Sequence, residues 1–266
     1  MYKEYWGVKK KPFENSPDPD FLFHSDEHDE AMMRLLYAIQ SSKGAALLTG
    51  EYGCGKTLMM HTLIGELSSD KFNIAYLTNP RWKADELIQE ILYQLDVDYD
   101  SDSRVKMLHE LNDFLFENVK NGKHTIIIVD EAQIITDYDT FEELRCLLNF
   151  QLNDRFLLTL FIVGQPELKS MVQKIPQLDQ RISVRYHLKR FNLQEVAKYI
   201  YYRLRVAGRD EPIFGEDAIR AIFEYSNGTP RKINNICDLS LVIGFGQKVQ
   251  TINAELINGI IESESR

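Results

Sequence analysis

Nine residues near the start of the chain, "TGEYGCGKT", place Gly50, four further residues and then Gly55-Lys56-Thr57. An apolar run, Ala45–Leu48, stands just before them, and a helical pattern from Thr57 to Leu67 just after. This is the context in which the phosphate-loop spacing carries weight. Glycines let the backbone curl until successive N–H groups face one anion, and the following helix adds its N-terminal dipole. Lys56 suits the β- and γ-phosphates of a nucleotide, and the Thr57 hydroxyl suits Mg2+. Gly50, Glu51, Tyr52, Gly53, Cys54, Gly55, Lys56, Thr57 and Leu58 are therefore the expected cradle for ATP. Cys54 is either a redox-sensitive thiol or a small side chain tolerated at a variable loop position; the second reading is the simpler.

Further along, "HTIIIVDEAQ" sets Asp130 and Glu131 at the end of an apolar strand. Ligands of open α/β sheets bind at the C-terminal strand edge. Asp130 is placed to hold Mg2+ and Glu131 to orient and polarise the attacking water. A glutamate here argues for hydrolysis rather than mere retention of nucleotide. Asn79, after the second strand, either hydrogen-bonds Glu131 at the same edge or simply forms a turn. Gln165, in "FIVGQPEL", is placed to contact the γ-phosphate or the water. Arg181 and Arg185, four apart in "LDQRISVR", are not needed for binding nucleotide in their own subunit. An arginine donated across a subunit contact can, however, stabilise charge on the transferring phosphoryl group. Arg231, in "GTPRKIN", opens a helix where a cation opposes the dipole, which suggests a purpose such as reading phosphate.

These residues need a scaffold, and the hydrophobic pattern supplies one. Ala45–Leu48, Asn73–Leu77, Thr125–Val129 and Leu157–Val163 are unbroken apolar runs, as strands buried on both faces require. A fifth strand is expected around Arg185–Leu188. Helical patterns alternate with them: His28–Gln40, Thr57–Leu67, Ala84–Leu95, Arg104–Asn118 and Phe141–Leu152. The expected fold is therefore α/β, a parallel sheet core flanked by helices. From Arg190 onward only helices are expected: Leu193–Val206, Glu216–Tyr225, Arg231–Phe245 and Ala254–Glu262. This sets a nucleotide-binding core with an irregular N-terminal arm (Tyr5–Phe23) at 1–190 and a small all-helical domain at 191–266.

Composition narrows the function classes. The 266 residues are 44% hydrophobic and 27% charged, so disorder is not expected. The net charge of −9 supplies no overall attraction to nucleic acid or anionic lipid, although a local basic patch remains compatible with it. Three separated cysteines point to a reducing cytoplasm rather than a disulfide or zinc framework. No apolar run of about 18 residues occurs, so direct membrane insertion is not expected.

The segments "YWGVKKKPF", "PDPDFLFHSDEHDEAMMRLLYAI", "LLTGEYGCGKT", "IIIVDEAQ", "FIVGQPEL", "LDQRISVR" and "NGTPRKINNICD" together resemble AAA+ ATPases. In particular they are similar to the ExeA/GspA type associated with type II secretion. GQPEL and GTPRKIN discriminate most, and the likeness covers nearly the whole chain. The resemblance implies a P-loop core with a helical lid, ATP and Mg2+ as cofactors, and a homo-oligomeric ring or filament. It assigns Gln165 to sensor 1, Arg231 to sensor 2, Asn79 to the glutamate switch and Arg181 to the arginine finger, with Arg185 second. It also implies that the N-terminal arm lies near the adenine base. Secretion members commonly continue into a membrane helix and a cell-wall-binding domain, whereas this chain stops after the lid. The same module resembles transposition regulators of the MuB, TnsC and TniB kind, which form ATP-dependent filaments on DNA.

Three functions compete. The first is a switch ATPase acting on a protein assembly in secretion or pilus biogenesis. The second is a DNA-binding transposition or replication accessory, for which Lys169, Lys174, Lys189, Arg190, Lys198, Arg203 and Arg205 are candidate contacts. The third, a metabolic kinase, needs an arginine-rich lid that the sequence lacks.

Overall fold

The computed structural model describes residues 2–99 and 103–264. In chain order the elements are α1 (Tyr2–Trp6), α2 (Asp26–Gln40), β1 (Ala45–Gly50), α3 (Lys56–Glu66), β2 (Phe72–Leu77), α4 (Ala84–Gln94), α5 (Arg104–Lys120) and β3 (His124–Val129). They continue with α6 (Tyr138–Leu147), β4 (Leu158–Gly164), α7 (Glu167–Gln173), α8 (Pro176–Asp179), β5 (Ile182–Leu188), α9 (Leu193–Val206), α10 (Glu216–Ser226), α11 (Pro230–Gln247) and α12 (Ala254–Glu264). The expected parallel α/β core is present. The arm expected to be irregular carries α1 at its start and a single 3-10 turn at Pro19–Phe21, where the Asp18 carboxylate caps the Asp20 N–H.

The five strands form one sheet in the order β2-β3-β4-β1-β5, and every pairing is parallel. Central strands β1 and β4 are buried at every residue, which is why their sequences are continuously apolar. Edge strand β5 alternates instead: Ile182 and Val184 are buried while Ser183 and His187 are exposed. That alternation explains why only its second half stands out in the sequence.

The chain divides into two compact units. One comprises Asp29–Gly50 and Thr62–Leu188, and so contains the sheet. Its core joins sheet residues such as Leu47, Ile127 and Ile162 to Leu87, Ile91, Leu111 and Leu144 of α4, α5 and α6. The other comprises the N-terminal segment through His28, Glu51–His61 and the chain from Lys189 onward. Here Trp6, Phe13, Phe191, Ile200, Phe214, Ile222 and Leu241 form a second core. The Trp6 indole donates to the Leu241 carbonyl at 2.8 Å. Buried Arg203 donates to the carbonyls of Pro12 and Glu14 and stacks over the Phe21 ring, fastening the N-terminal segment to α9.

Candidate functional site

Two groups of residues carry the chemistry expected from the sequence. The first is the loop that leaves β1 and enters α3. Gly53 and Gly55 adopt φ of +80° and +96°, a region L side chains rarely visit. Between them the Cys54 N–H closes a turn on the Glu51 carbonyl at 3.2 Å. Buried Lys56 donates its ammonium to the same carbonyl at 3.1 Å. The loop thus curls around a lysine whose charge lies at a helix N-terminus, which is where phosphate oxygens bind.

Three further residues of the same unit brace this loop, and two of them were not foreseen. The backbone N–H of Arg231 donates to the Gly53 carbonyl at 3.3 Å, and its guanidinium stacks over the Tyr52 ring and donates to the Tyr52 hydroxyl. The sequence-predicted sensor-2 arginine therefore meets the loop directly. Buried His28 lies 3.3 Å from the Cys54 carbonyl through Nε2 and 2.8 Å from the Ser25 hydroxyl through Nδ1. Since a carbonyl only accepts, Nε2 carries the proton and Nδ1 accepts from Ser25. Arg190 pairs with Glu51 at 3.5 Å. Cys54 is fully buried, and burial pushes its thiol up despite the opposing charges of Lys56 and Arg190. Burial of this kind favours the thiol over the thiolate.

The second group sits on the sheet. β1, β3 and β4 run parallel, so Gly50, Asp130 and Gln165 all stand where strands end, at one edge. Asp130 is 2% exposed. One of its oxygens accepts from the Tyr76 hydroxyl at 2.9 Å and the other from the Glu131 N–H at 2.8 Å. Parallel register pairs Tyr76 with Ile128, which puts Tyr76 and Asp130 on the same sheet face two residues apart. Burial first, then the Asp130 charge, raises the Tyr76 phenol, so it stays a hydrogen-bond donor. Glu131 has φ of +53°, a left-handed conformation uncommon for a non-glycine residue. It begins the 3-10 turn Ala132–Ile134. That turn brings Gln133 back so that its amide donates to the Glu131 carboxylate at 2.5 Å.

Gln133, rather than Asn79, is thus the side chain bonded to Glu131. Asn79 is exposed and makes a backbone turn, its carbonyl accepting from the Arg81 N–H at 2.7 Å. Gln165 is half-buried just past β4, where its N–H donates to the Gln133 side-chain oxygen at 3.0 Å. Arg181 donates to the Leu148 carbonyl at 2.7 Å, whereas Arg185 is ion-paired with Asp179 at 2.9 Å. Gln133, Tyr76 and His28 escaped the sequence reading. A polar residue two positions after the acidic pair was the one available signal for Gln133.

Donor chemistry at Asp130 fits Mg2+: a buried carboxylate with hard oxygens, held in place by the Tyr76 hydroxyl and the Glu131 N–H. Among the described residues no group of three or more His, Cys, Asp or Glu gathers into a metal cage. Mg2+ at nucleotide sites is usually held by one or two carboxylates together with substrate phosphates, and so needs no such cage.

A parallel sheet whose β1 leads into a glycine loop and whose β3 ends in an acidic pair defines a P-loop nucleotide-hydrolysing fold. Residues 39–172, half of the chain, match the AAA domain family. The chain belongs to that family and is by class an ATP hydrolase. It is 38% identical over 250 residues to the general secretion pathway protein A of Aeromonas hydrophila, covering 93% of this chain and 45% of that protein. It is 30% identical over 162 residues to an uncharacterized HTH-type transcriptional regulator of Methanocaldococcus jannaschii, covering 57% of this chain and 38% of the relative. The chain therefore spans less than half the length of these curated relatives. Among solved structures, the ORC2 protein of Aeropyrum pernix in its ADPNP-ADP complexes superimposes with a TM-score of 0.72 at 17% identity. That match covers 96% of this chain and 71% of the other. The ORC1 protein of the same organism in complex with DNA gives 0.68 at 15% identity, covering 96% and 69%. At these identities the likeness establishes the fold. Among the described residues no helix is long and apolar enough to cross a membrane.

Proposed function

We propose that the chain hydrolyses Mg-ATP to switch a protein assembly of the secretion or pilus-biogenesis kind, working as a cytoplasmic homo-oligomer. Residues 50–58 cradle the phosphates and Lys56 offsets their charge. Thr57 and Asp130 hold Mg2+, which when bound neutralises charge developing on the transferred phosphoryl oxygens. Glu131 takes the proton of the attacking water, Gln165 and Arg231 contact the nucleotide, and Asn79 remains the candidate glutamate-switch residue. A neighbouring subunit contributes Arg181. Arg181 is favoured over Arg185 because it gives up one neutral hydrogen bond, while Arg185 must leave an ion pair. The observation that carries the reading is the strand-end carboxylate of Glu131, oriented by Gln133 at the edge where β1 ends in Gly50.

Glu131→Gln is the decisive variant. Nucleotide binding persists, turnover falls on the order of 10²-fold or more, and oligomers accumulate in the ATP-bound form. Unchanged turnover removes Glu131 from the role of base. Mixing Arg181→Ala with Lys56→Ala subunits partly restores activity if sites are shared, and no mixing ratio does so if they are not.

The DNA-accessory alternative draws on the fold of the A. pernix ORC1 protein, whose structure is in complex with DNA. The candidate basic residues weigh against it. Lys189 pairs with Glu27, Arg190 with Glu51, and Arg203 is buried on backbone carbonyls. ATP-dependent DNA binding that weakens steeply with salt is the outcome that would favour it.

A further inference from the structure

We propose that Gln133 is a positioning residue for hydrolysis, coupling the Glu131 carboxylate to the strand end at Gln165 so that the two move together. The inference rests on the role of Glu131 as base. Gln133 spans two groups already placed in the chemistry. Its Nε2 donates to Glu131 at 2.5 Å, and its Oε1 accepts from the Gln165 backbone N–H at 3.0 Å. The orientation of the amide follows from its neighbours. Turned over, it would set an oxygen against a carboxylate and an NH2 against an N–H, losing both bonds at once. Among the described residues the Glu131 carboxylate has no other hydrogen-bond partner. Its backbone is left-handed, with φ of +53°.

A second observation points the same way. A Cβ on Gly164, the last residue of β4, would collide with the Gln133 Oε1 and stand 2.7 Å from a Leu168 methyl. Gly164 thus leaves the space into which the Gln133 amide reaches. Charge-assisted donation to a carboxylate is strong and directional, and the far end of the same amide is anchored on main chain. A displacement of the Gln165 turn, as when that residue meets a terminal phosphate, is therefore carried through one rigid planar group to the carboxylate that takes the water's proton.

The test compares three variants of the full chain with the wild type, measuring steady-state ATP hydrolysis, binding of a fluorescent ATP analogue and thermal unfolding. Gln133→Leu removes both bonds; kcat falls about ten- to a hundredfold while KM and analogue affinity change by less than about twofold. Gln133→Glu is nearly isosteric and guards against a folding defect. It turns the donor facing Glu131 into an acceptor, so kcat falls at least as far as in Gln133→Leu while analogue affinity holds. Gly164→Ala alone lowers kcat, and adds no further loss when combined with Gln133→Leu, because both act through one amide. Wild-type kcat in Gln133→Leu, with Glu131→Gln inactive, overturns this inference and leaves the base assignment standing. Full turnover in Glu131→Gln overturns the base assignment itself. Losses that follow the unfolded fraction, or that fall equally on kcat and analogue affinity, reduce Gln133 to a structural part and overturn the proposal.

Discussion

In the glycine loop the groups proposed to meet phosphate are backbone N–H donors, on a chain turned by two left-handed glycines, Gly53 and Gly55. At the end of β3 the working groups are side-chain oxygens, directed by Tyr76 on one carboxylate and Gln133 on the other. The first arrangement stores its geometry in the chain's own dihedrals, and the second in contacts between residues distant in sequence or brought round by a turn. The difference predicts how each region fails. Disturbing the loop abolishes binding, whereas disturbing the strand end slows chemistry or weakens the metal and leaves the nucleotide bound.

The harshest test of that contrast is Gly53→Ala. The new methyl meets the Arg231 Cβ at 2.8 Å, and φ of +80° is unfavourable for any L side chain. The left-handed backbone alone costs about 1–2 kcal/mol, so affinity for a fluorescent ATP analogue falls about tenfold or more. A dissociation constant within about twofold of wild type would show that the loop is not held by its glycines.

Tyr76→Phe probes the other region with a smaller expected effect. It removes one donor from Asp130 and leaves the loop untouched. Outer-shell partners of metal ligands are typically worth 10–100-fold in metal affinity, so the Mg2+ concentration for half-maximal turnover rises about tenfold. Analogue binding without Mg2+ stays at the wild-type value. An equal loss in both assays would erase the distinction between the regions.

The same contrast explains what was legible beforehand. Glycine spacing is a local property, so the loop from Gly50 to Thr57 is readable without any knowledge of the fold. Strands β1, β3 and β4 are readable because burial on both faces forces continuous apolar runs, whereas edge strand β2 is only half-buried along most of its length. Edge strand β5 shows only its Arg185–Leu188 half, since one face meets solvent. Helices α7 and α8, with seven and four residues, are too short to display a period. Tyr76 acquires its role only through the register between β2 and β3, and Gln133 only through the 3-10 turn that brings it back to Glu131. Asn79 is exposed in a backbone turn after β2, so position in the sequence alone does not decide between it and Gln133 as the side chain bonded to Glu131.

β3 also has an end far from this chemistry, and it must be controlled when turnover is followed against pH. His124 opens the strand, with Nε2 2.9 Å from the Thr159 hydroxyl, and burial lowers its pKa from 6.5 to about 4. Between those values the unfolded chain binds a proton that the folded chain refuses. Stability is therefore complete above about pH 6.5 and declines as pH falls toward 4. At pH 5 the loss relative to pH 8 is about 1–2 kcal/mol. Denaturant titrations of wild type and His124→Gln check this, the substitution flattening that part of the dependence. An equally steep decline in the variant would assign it to other groups.

The smallest expected effect falls within the loop itself, at Cys54. Its neighbours Gly53 and Gly55 set the backbone, and its own N–H and carbonyl make the contacts, to Glu51 and His28 respectively. The side chain contributes only buried volume, and its raised pKa keeps it protonated at neutral pH. Cys54→Ala thus keeps every loop hydrogen bond and loses one buried sulfur, for a change in turnover of less than about twofold. In native protein, alkylation by iodoacetamide reaches the partly exposed Cys146 well before Cys54. Rapid modification of Cys54 with matching loss of activity would mean that the loop opens often enough to expose it. The claim that this region is set by its own dihedrals would then fail at the position where it ought to be safest.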